Sequence, residues 1–435
     1  MNNEQNEFLN RMKRILGVEY ADFEQSLKNS SQKSLYVNEN KVSIEIFKEI
    51  VDFSIEQIPY EKAGFFIDDE KRGRHPLHHT GAFYLQEPSA MFTINAHKFK
   101  GNEKVLDMCA APGGKSIQIA NRIPNGVLVS NEIVSARSQI LFSNIERMGL
   151  KNLIITNEKP ENLAKAYEDC FDVCLVDAPC SGEGMFRKAE DVITHWNKNL
   201  PEMCAQRQKE ILIAADKILK CGGTLIYSTC TYSVEENEDV VRWLQSELGY
   251  KLCNIEADLP RGIGMPEAVR LYPHKVKGEG QFVAVLIKKL QNNAINSKNL
   301  RLNRDKMAEK FIFNVTGKEK EVYEYNKYSY IIPDLNLIKK NVNYISLGVR
   351  VGQNLKSRFE PYHNLFMAYK DDFDLKLNFD HNSQEIQSYI KGDILEVSLK
   401  DGYGVMCASN CALGGFKISQ GKFKNLYPKG LRNFK

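Results

Sequence analysis

Three short stretches of this chain carry residue types that do chemistry. The first is Val105-Leu106-Asp107-Met108-Cys109-Ala110-Ala111-Pro112-Gly113-Gly114-Lys115-Ser116, an apolar run entering a small-residue turn. Small residues let the backbone approach a ligand, and the N-terminus of the helix predicted to follow offers free N–H groups to a carboxylate or phosphate. Gly114-Lys115-Ser116 invites a triphosphate-binding reading, but that motif needs glycine where Cys109 stands, and the dinucleotide pattern G-x-G-x-x-G is also absent. Glu132 follows Asp107 by 25 residues, the spacing at which an acid meets ribose hydroxyls. A ribose-bearing ligand fits, and Asn157 and Glu158, after the next apolar run, could hydrogen-bond an adenine edge. Taken singly, each of these polar residues is also an ordinary helix cap or turn former.

The other two stretches are Asp177-Ala178-Pro179-Cys180-Ser181-Gly182 and Tyr227-Ser228-Thr229-Cys230-Thr231-Tyr232-Ser233. A thiol among small polar neighbours can be tuned towards thiolate, whereas Cys170, Cys174 and Cys221 look like buried hydrophobes. No C-x-x-C occurs, and the Cys170/Cys174 and Cys407/Cys411 spacings suit a core face at least as well as zinc, so no metal is expected. Cys180 and Cys230 together fit a nucleophile and a helper thiol.

These residues need elements that converge. Between Lys104 and Lys289, β-rich runs (105–108, 127–130, 153–155, 173–176 and 224–227) alternate with helical stretches, which predicts repeated βα units and an open parallel sheet with its ligand site at the strands' carboxyl ends. Every motif above falls at such an end. Ser233 and Glu236 form a capping box predicted to open a helix from Val234 to Leu248.

Phe8, Met12, Ile15 and Leu16 recur at helical spacing, as do residues 42–50, so the N-terminal stretch is predicted to be small α+β structure. Arg72-Gly73-Arg74-His75-Pro76-Leu77-His78-His79 reads as a loop that could face a polyanion, its histidines favoured as loop or core residues over metal ligands. The polar run 291–297 is a plausible linker. Beyond it, residues 328–332 and 394–397 with the pair Gly414-Gly415 suggest a small barrel.

Composition sets the bounds. A chain of 435 residues with 43% hydrophobic and 26% charged residues is a folded, multidomain protein rather than a disordered one. Its apolar runs are too short to cross a bilayer and its first residues lack a signal peptide's apolar centre, so a cytoplasmic location with reduced thiols is expected. Residues 291–435 hold 23 Lys and Arg against 15 Asp and Glu, a net charge of +8, while the first 290 residues carry −4. A basic appendage suits a polyanion, and a solvated surface explains the same numbers.

The segments 107–115, 177–184 and 228–231 resemble the motifs of the Sun-type RNA cytosine-5 methyltransferases. His75-Pro76-Leu77-His78-His79, Gln86-Glu87-Pro88-Ser89-Ala90-Met91 and Asn425-Leu426-Tyr427-Pro428-Lys429-Gly430-Leu431-Arg432 more narrowly resemble its RsmF branch. The resemblance implies an α/β, Rossmann-like class I methyltransferase domain at 96–290, preceded by an N-terminal RNA-contacting α+β module at 1–95. A first C-terminal domain at 298–368 and a PUA-like RNA-binding domain at 369–435 would follow.

It also implies S-adenosylmethionine as cofactor, contacted by Cys109, Ala110, Ala111, Pro112, Gly113, Gly114, Lys115, Glu132, Asn157, Glu158 and Asp177. Asn157-Glu158-Lys159 stands where many members carry an aspartate. The implied reaction is methylation of cytidine carbon 5 in small-subunit ribosomal RNA, naked or in an assembled particle, by a monomer. Cys230 would be the nucleophile, Asp177 would hold the base edge, and Cys180 would assist proton removal and release. Tyr403, Phe416, Phe423 and Tyr427 interleave with Lys417, Lys422, Lys424 and Lys429, as base stacking with phosphate contact requires, although a barrel core with a solvated face gives the same pattern. Three rivals stand against this reading: a DNA cytosine-5 methyltransferase with Cys180 as nucleophile, a non-catalytic ribosome assembly factor, and methylation of a different RNA such as tRNA.

Overall fold

The computed structural model describes residues 3–68, 70–187, 195–290, 297–356 and 358–432. The linker expected at 291–297 falls outside them except for Ser297.

The N-terminal helical pattern forms two helices, α1 (Asn3–Leu16) and α2 (Tyr20–Ser26), separated by a single 3-10 turn at Gly17–Glu19. A small antiparallel sheet follows, ordered β2-β3-β1-β4, from β1 (Lys33–Val37), β2 (Ile55–Gln57), β3 (Gly64–Ile67) and β4 (Phe83–Leu85). Helix α3 (Ile44–Ile50) is capped by Ser43, whose Oγ accepts from Ile46 N–H. The histidine stretch expected as a loop contains the short helix α4 (Pro76–His79), with Pro76 at its first position, and Glu87 caps α5 (Pro88–Asn95).

The catalytic sheet is ten-stranded. Its parallel part is ordered β7-β6-β5-β8-β9, from β5 (Lys104–Asp107), β6 (Val127–Asn131), β7 (Leu153–Thr156), β8 (Phe171–Asp177) and β9 (Leu219–Thr229). These strands read as nearly continuous apolar runs because helices cover both faces: α6 (Gly114–Arg122), α7 (Ser135–Met148), α8 (Pro160–Ala166) and α9 (Leu200–Ile218). Val105, Leu128, Leu153 and Val173 lie in one core cluster, and Leu106, Val129, Ile154 and Cys174 in the other, as alternation across a sheet buried on both sides requires.

After α10 (Glu238–Glu247), short β10 (Lys251–Cys253) and β11 (Arg261–Gly262) lead to β12 (Met265–Leu271) and β13 (Gln281–Ile287). Strand β13 pairs antiparallel with β9.

A five-stranded sheet ordered β14-β15-β16-β18-β19 follows, from β14 (Asn303–Arg304), β15 (Tyr323–Tyr325), β16 (Tyr328–Ile331), β18 (Val349–Leu355) and β19 (Arg358–Pro361), with α11 (Lys306–Thr316). From the same stretch, β17 (Tyr344–Ser346) pairs antiparallel with β7 and closes the outer edge of the catalytic sheet. Helix α12 (His363–Ala368) is buried at all six positions, between β18, α7 and the C-terminal sheet. That sheet is ordered β20-β21-β22-β23, from β20 (Lys376–Phe379), β21 (Gly402–Ala408), β22 (Cys411–Ser419) and β23 (Lys422–Asn425), and carries helix α13 (Gln384–Lys391). Residues 394–397, expected in a strand, are irregular.

Three further sequence expectations need correction. Cys221 is exposed where β9 bulges against β8, and Cys170 is only partly buried; Cys174 alone of the three is fully buried. Phe416, Phe423 and Tyr427 are core residues, packed with Met406, Ile386 and Tyr389, so they offer no stacking surface to RNA. Strand alternation turns the Phe416 and Phe423 rings inward and Lys417, Lys422 and Lys424 outward, and Tyr427 packs inward just after the last strand. The helix expected from Val234 begins at Glu238. Ser233 Oγ accepts from Glu236 N–H as a cap would, but the Glu236 carboxylate goes elsewhere.

Candidate active site

Strand β5 ends at Asp107, fully buried, with Oδ2 accepting from Ser116 Oγ at 2.6 Å and Oδ1 without a partner among the described residues. Burial pushes this carboxyl up to about 7. The chain then turns through Cys109–Gly113 into α6. Gly113 has φ of 118°, and a Cβ there would stand 3.0 Å from Leu141 Cδ1, so both conformation and space call for glycine. Helix α7 braces this turn from outside: Arg137 donates to the Ala111 carbonyl at 2.7 Å and Asn144 to the Pro112 carbonyl at 2.9 Å.

At the end of β6, Glu132 is buried; it accepts from Val134 N–H at 2.9 Å and lies 3.4 Å from Arg137 Nη1. Asn157, after β7, donates to the carbonyls of Glu132 and Ile133. Glu158 accepts from Asn343 N–H and from Asn162 Nδ2, so its carboxylate holds the approach to β17 and the start of α8. Both residues lie beside the Glu132 turn, with their side chains engaged by protein groups.

Strand β8 delivers Asp177 beside Ser228 of β9, its register partner. Asp177 Oδ2 accepts from Lys115 Nζ at 2.8 Å; Oδ1 accepts from Ser228 Oγ at 2.7 Å and Gln281 Nε2 at 3.2 Å. Burial works against the Lys115 ammonium, but the charge and hydrogen bond of Asp177, with Cys230 and Asp107 nearby, together outweigh it and the pKa rises. Beyond these strand ends the two loops meet, and Cys180 Sγ lies 3.1 Å from Cys230 Sγ. The Cys180 thiol is pushed well up, first by its hydrogen bond to Cys230 and then by burial. Gly184 N–H donates to the Cys230 carbonyl at 2.9 Å, and a Cβ on Gly184 would come within 2.7 Å of that oxygen.

Several supporting residues escape sequence reasoning. Glu183, fully buried, accepts from Arg11 of α1 at 2.5 Å, from Trp196 Nε1 at 3.0 Å and from Tyr232 N–H at 3.1 Å, so the N-terminal helix reaches the loops of both cysteines. Phe8, Phe23, Trp196, Tyr232 and Tyr272 form the apolar cluster around it. Gln281, first residue of β13, carried no signal beyond its glycine neighbours.

The histidine stretch serves as a fastener. His75 Nε2 lies 2.9 Å from Asp52, while its Nδ1 accepts from Leu77 N–H at 3.1 Å. Acceptance at Nδ1 leaves the proton on Nε2, so this ring donates to Asp52 and does not offer that nitrogen to a metal, although His381 completes a close Asp52–His75–His381 group. His79 Nδ1 meets the Tyr427 hydroxyl at 2.8 Å, tying the N-terminal unit to the C-terminal sheet.

A parallel sheet in the order β7-β6-β5-β8-β9 with one reversed strand inserted beside β9, and with acids and a glycine turn at its carboxyl ends, defines a Rossmann-like methyltransferase. Residues 95–287 match the family model described as 16S rRNA methyltransferase RsmB/F, 5–88 the N-terminal domain of 16S rRNA methyltransferase RsmF, and 376–433 the methyltransferase RsmF PUA domain. Ribosomal RNA small subunit methyltransferase F of Erwinia tasmaniensis is 28% identical over 98% of this chain and 96% of its own length. That of Vibrio vulnificus is 34% identical over 72% of this chain and 68% of its own. A solved methyltransferase homolog from Pyrococcus horikoshii aligns with TM-score 0.57 and 28% identity over 65% of this chain and 94% of that one. The chain belongs to the RsmB/F family of 16S rRNA methyltransferases, on its RsmF branch.

The cofactor of the family is S-adenosylmethionine, and the residues present fit it. The Cys109–Gly113 turn is built of small residues, Asp107 keeps a carboxylate oxygen with no partner among the described residues, and Glu132 directly follows β6.

Proposed function

We propose that this protein methylates carbon 5 of cytidine in 16S ribosomal RNA through a covalent adduct on Cys230. The observation that carries the reading is the pair of thiols 3.1 Å apart beside an aspartate held by a lysine, a serine and a glutamine. S-adenosylmethionine, when bound, supplies an electrophilic methyl group. It would lie against Cys109–Lys115, with Glu132 on the ribose side, Asp177 near the sulfonium, and Asn157 and Glu158 bordering the adenine end.

Carbon 5 of cytosine is a weak nucleophile, and the side chains act on that weakness. The Cys230 thiolate adds to carbon 6; the C5=C6 π electrons move to carbon 5 and into the ring, and Asp177 holds the ring nitrogen and amino edge where charge changes. Lys115 and Ser228 fix Asp177 in place. After carbon 5 is substituted its proton must leave. With Cys230 bonded to carbon, its sulfur no longer holds the Cys180 proton; Cys180 releases that proton to solvent and, as thiolate, takes the one leaving carbon 5. The electrons of the C–H bond re-form C5=C6 and expel Cys230 as thiolate. RNA is gripped by the C-terminal domain, whose outward lysines are Lys417, Lys422 and Lys424, while the buried aromatic rings hold its core.

The test is transfer of labelled methyl from S-adenosylmethionine to unmodified 16S rRNA, offered naked and as assembled small subunits, followed by nucleoside mass analysis. Label in 5-methylcytidine supports the reading and identifies the substrate form. Label in another nucleoside, or none on either form with cofactor binding intact, overturns it.

A further inference from the structure

Glu236 stands three residues after Ser233, where a capping box would turn its carboxylate back to the Ser233 N–H. Instead the carboxylate enters the space behind the two cysteine loops. Oε2 accepts from Ser181 N–H at 2.9 Å and from Gln208 Nε2 at 2.9 Å, while Oε1 accepts from Ser181 Oγ at 2.5 Å. Ser181 Oγ in turn lies 2.8 Å from Thr231 Oγ1. Ser181 follows Cys180 and Thr231 follows Cys230, so a single carboxylate links the residues next to both thiols.

This carboxylate is fully buried, and no cation pairs with it among the described residues. Burial pushes it up to about 7. An ionised group held in such a place costs stability unless its hydrogen bonds are needed. The cap itself does not need them, because Ser233 Oγ already accepts from the Glu236 backbone N–H.

On the reading that Cys230 attacks and Cys180 completes the reaction, we propose that Glu236 is the positioning residue that sets Cys180 against Cys230. It touches neither sulfur. It acts through Ser181, fixing the main chain that carries Cys180, and through the Ser181–Thr231 hydroxyl contact, which ties that loop to the one after Cys230. The Gly184–Cys230 main-chain bond holds the loops together at a second point, and Gln208, which also donates to the Pro179 carbonyl at 3.1 Å, shares the Cys180 end with Glu236.

The experiment uses the full chain with unmodified 16S rRNA and reads kcat, KM and the fraction of protein that carries RNA after denaturation. Glu236→Ala should lower kcat on the order of 100-fold, the effect of an ångström-scale misplacement, with KM changed by less than about threefold. RNA-bound protein should accumulate as in Cys180→Ala, because attack by Cys230 survives while release fails. Glu236→Gln keeps an oxygen for Ser181 N–H and presents its amide group to the Ser181 hydroxyl, and should recover kcat to within about tenfold of wild type. Ser181→Ala removes the two hydroxyl contacts, to Glu236 and to Thr231, but keeps the Ser181 N–H bond to the carboxylate; it should accumulate adduct to a lesser extent, and it keeps the proposal testable where Glu236→Ala does not fold. Wild-type kcat in folded Glu236→Ala, or loss of adduct and turnover together in Ser181→Ala, would overturn the proposal. Cys180→Ala separates the two levels: if it traps no adduct, the underlying assignment of the thiols fails; if it traps adduct and the Glu236 and Ser181 variants do not, this inference alone fails.

Discussion

The carboxyl edge of the catalytic sheet and the C-terminal sheet both carry residues with evident chemistry, and the fold treats them in opposite ways. At the catalytic edge parallel strands end side by side, so residues distant in sequence become neighbours: Asp177 and Ser228 are register partners and the thiols just beyond them lie 3.1 Å apart. In the C-terminal sheet, alternation sends the Phe416 and Phe423 rings into the core, where Tyr427 packs with them. Lys417 and Lys424 remain as cross-strand neighbours on the outer face, with Lys417 over the Tyr403 ring at 5.1 Å. Two like charges directly opposite each other are unfavourable in isolation, and a phosphate between them removes the penalty. Residue type thus indicates chemistry at a strand's end and packing along its length.

The comparison can be tested from its strongest consequence downward. Cys230→Ala should abolish methylation with no adduct, while Cys180→Ala should leave protein bound to RNA through denaturation; gel analysis of the two reads this directly, and the reverse pattern would exchange the roles of the thiols. Asp177→Asn should lower kcat by roughly 10²–10⁴-fold, the span of a positioned acid–base group, with little change in melting temperature. Phe416→Ala in the other region should do the opposite, costing about 3–5 kcal/mol of stability by denaturant melting, while the protein that remains folded keeps its kcat.

Lys417→Ala and Lys424→Ala should each weaken RNA binding and reduce the slope of log affinity against log salt by about one, with no loss of stability. An unchanged slope would return this face to a solvated surface. The smallest effect is expected of Ser233→Ala, which removes the bond to Glu236 N–H and should cost about 1 kcal/mol.

Much of the catalytic region was legible because its signals are local. Apolar runs of strand length, a glycine turn after Asp107 and acids after successive strands predict a parallel sheet and its active edge. The C-terminal aromatics were ambiguous, because alternation says that two faces differ but not which one meets the core. Ser233 and Glu236 show a different limit: the capping spacing was present and half the motif formed, but the carboxylate found stronger partners in Ser181 and Gln208, more than two dozen residues away.

The sequence by itself determined the strands, the turn at Gly113 and the placement of chemical groups at strand ends, since these follow from short-range sterics and hydrophobic periodicity. Tertiary structure alone decided that Cys180 faces Cys230, that Arg11 reaches Glu183, that Glu236 ties the two cysteine loops, and that β17 joins the catalytic sheet. Those contacts depend on which buried surfaces pack and which buried polar groups find partners, and both are properties of the whole chain.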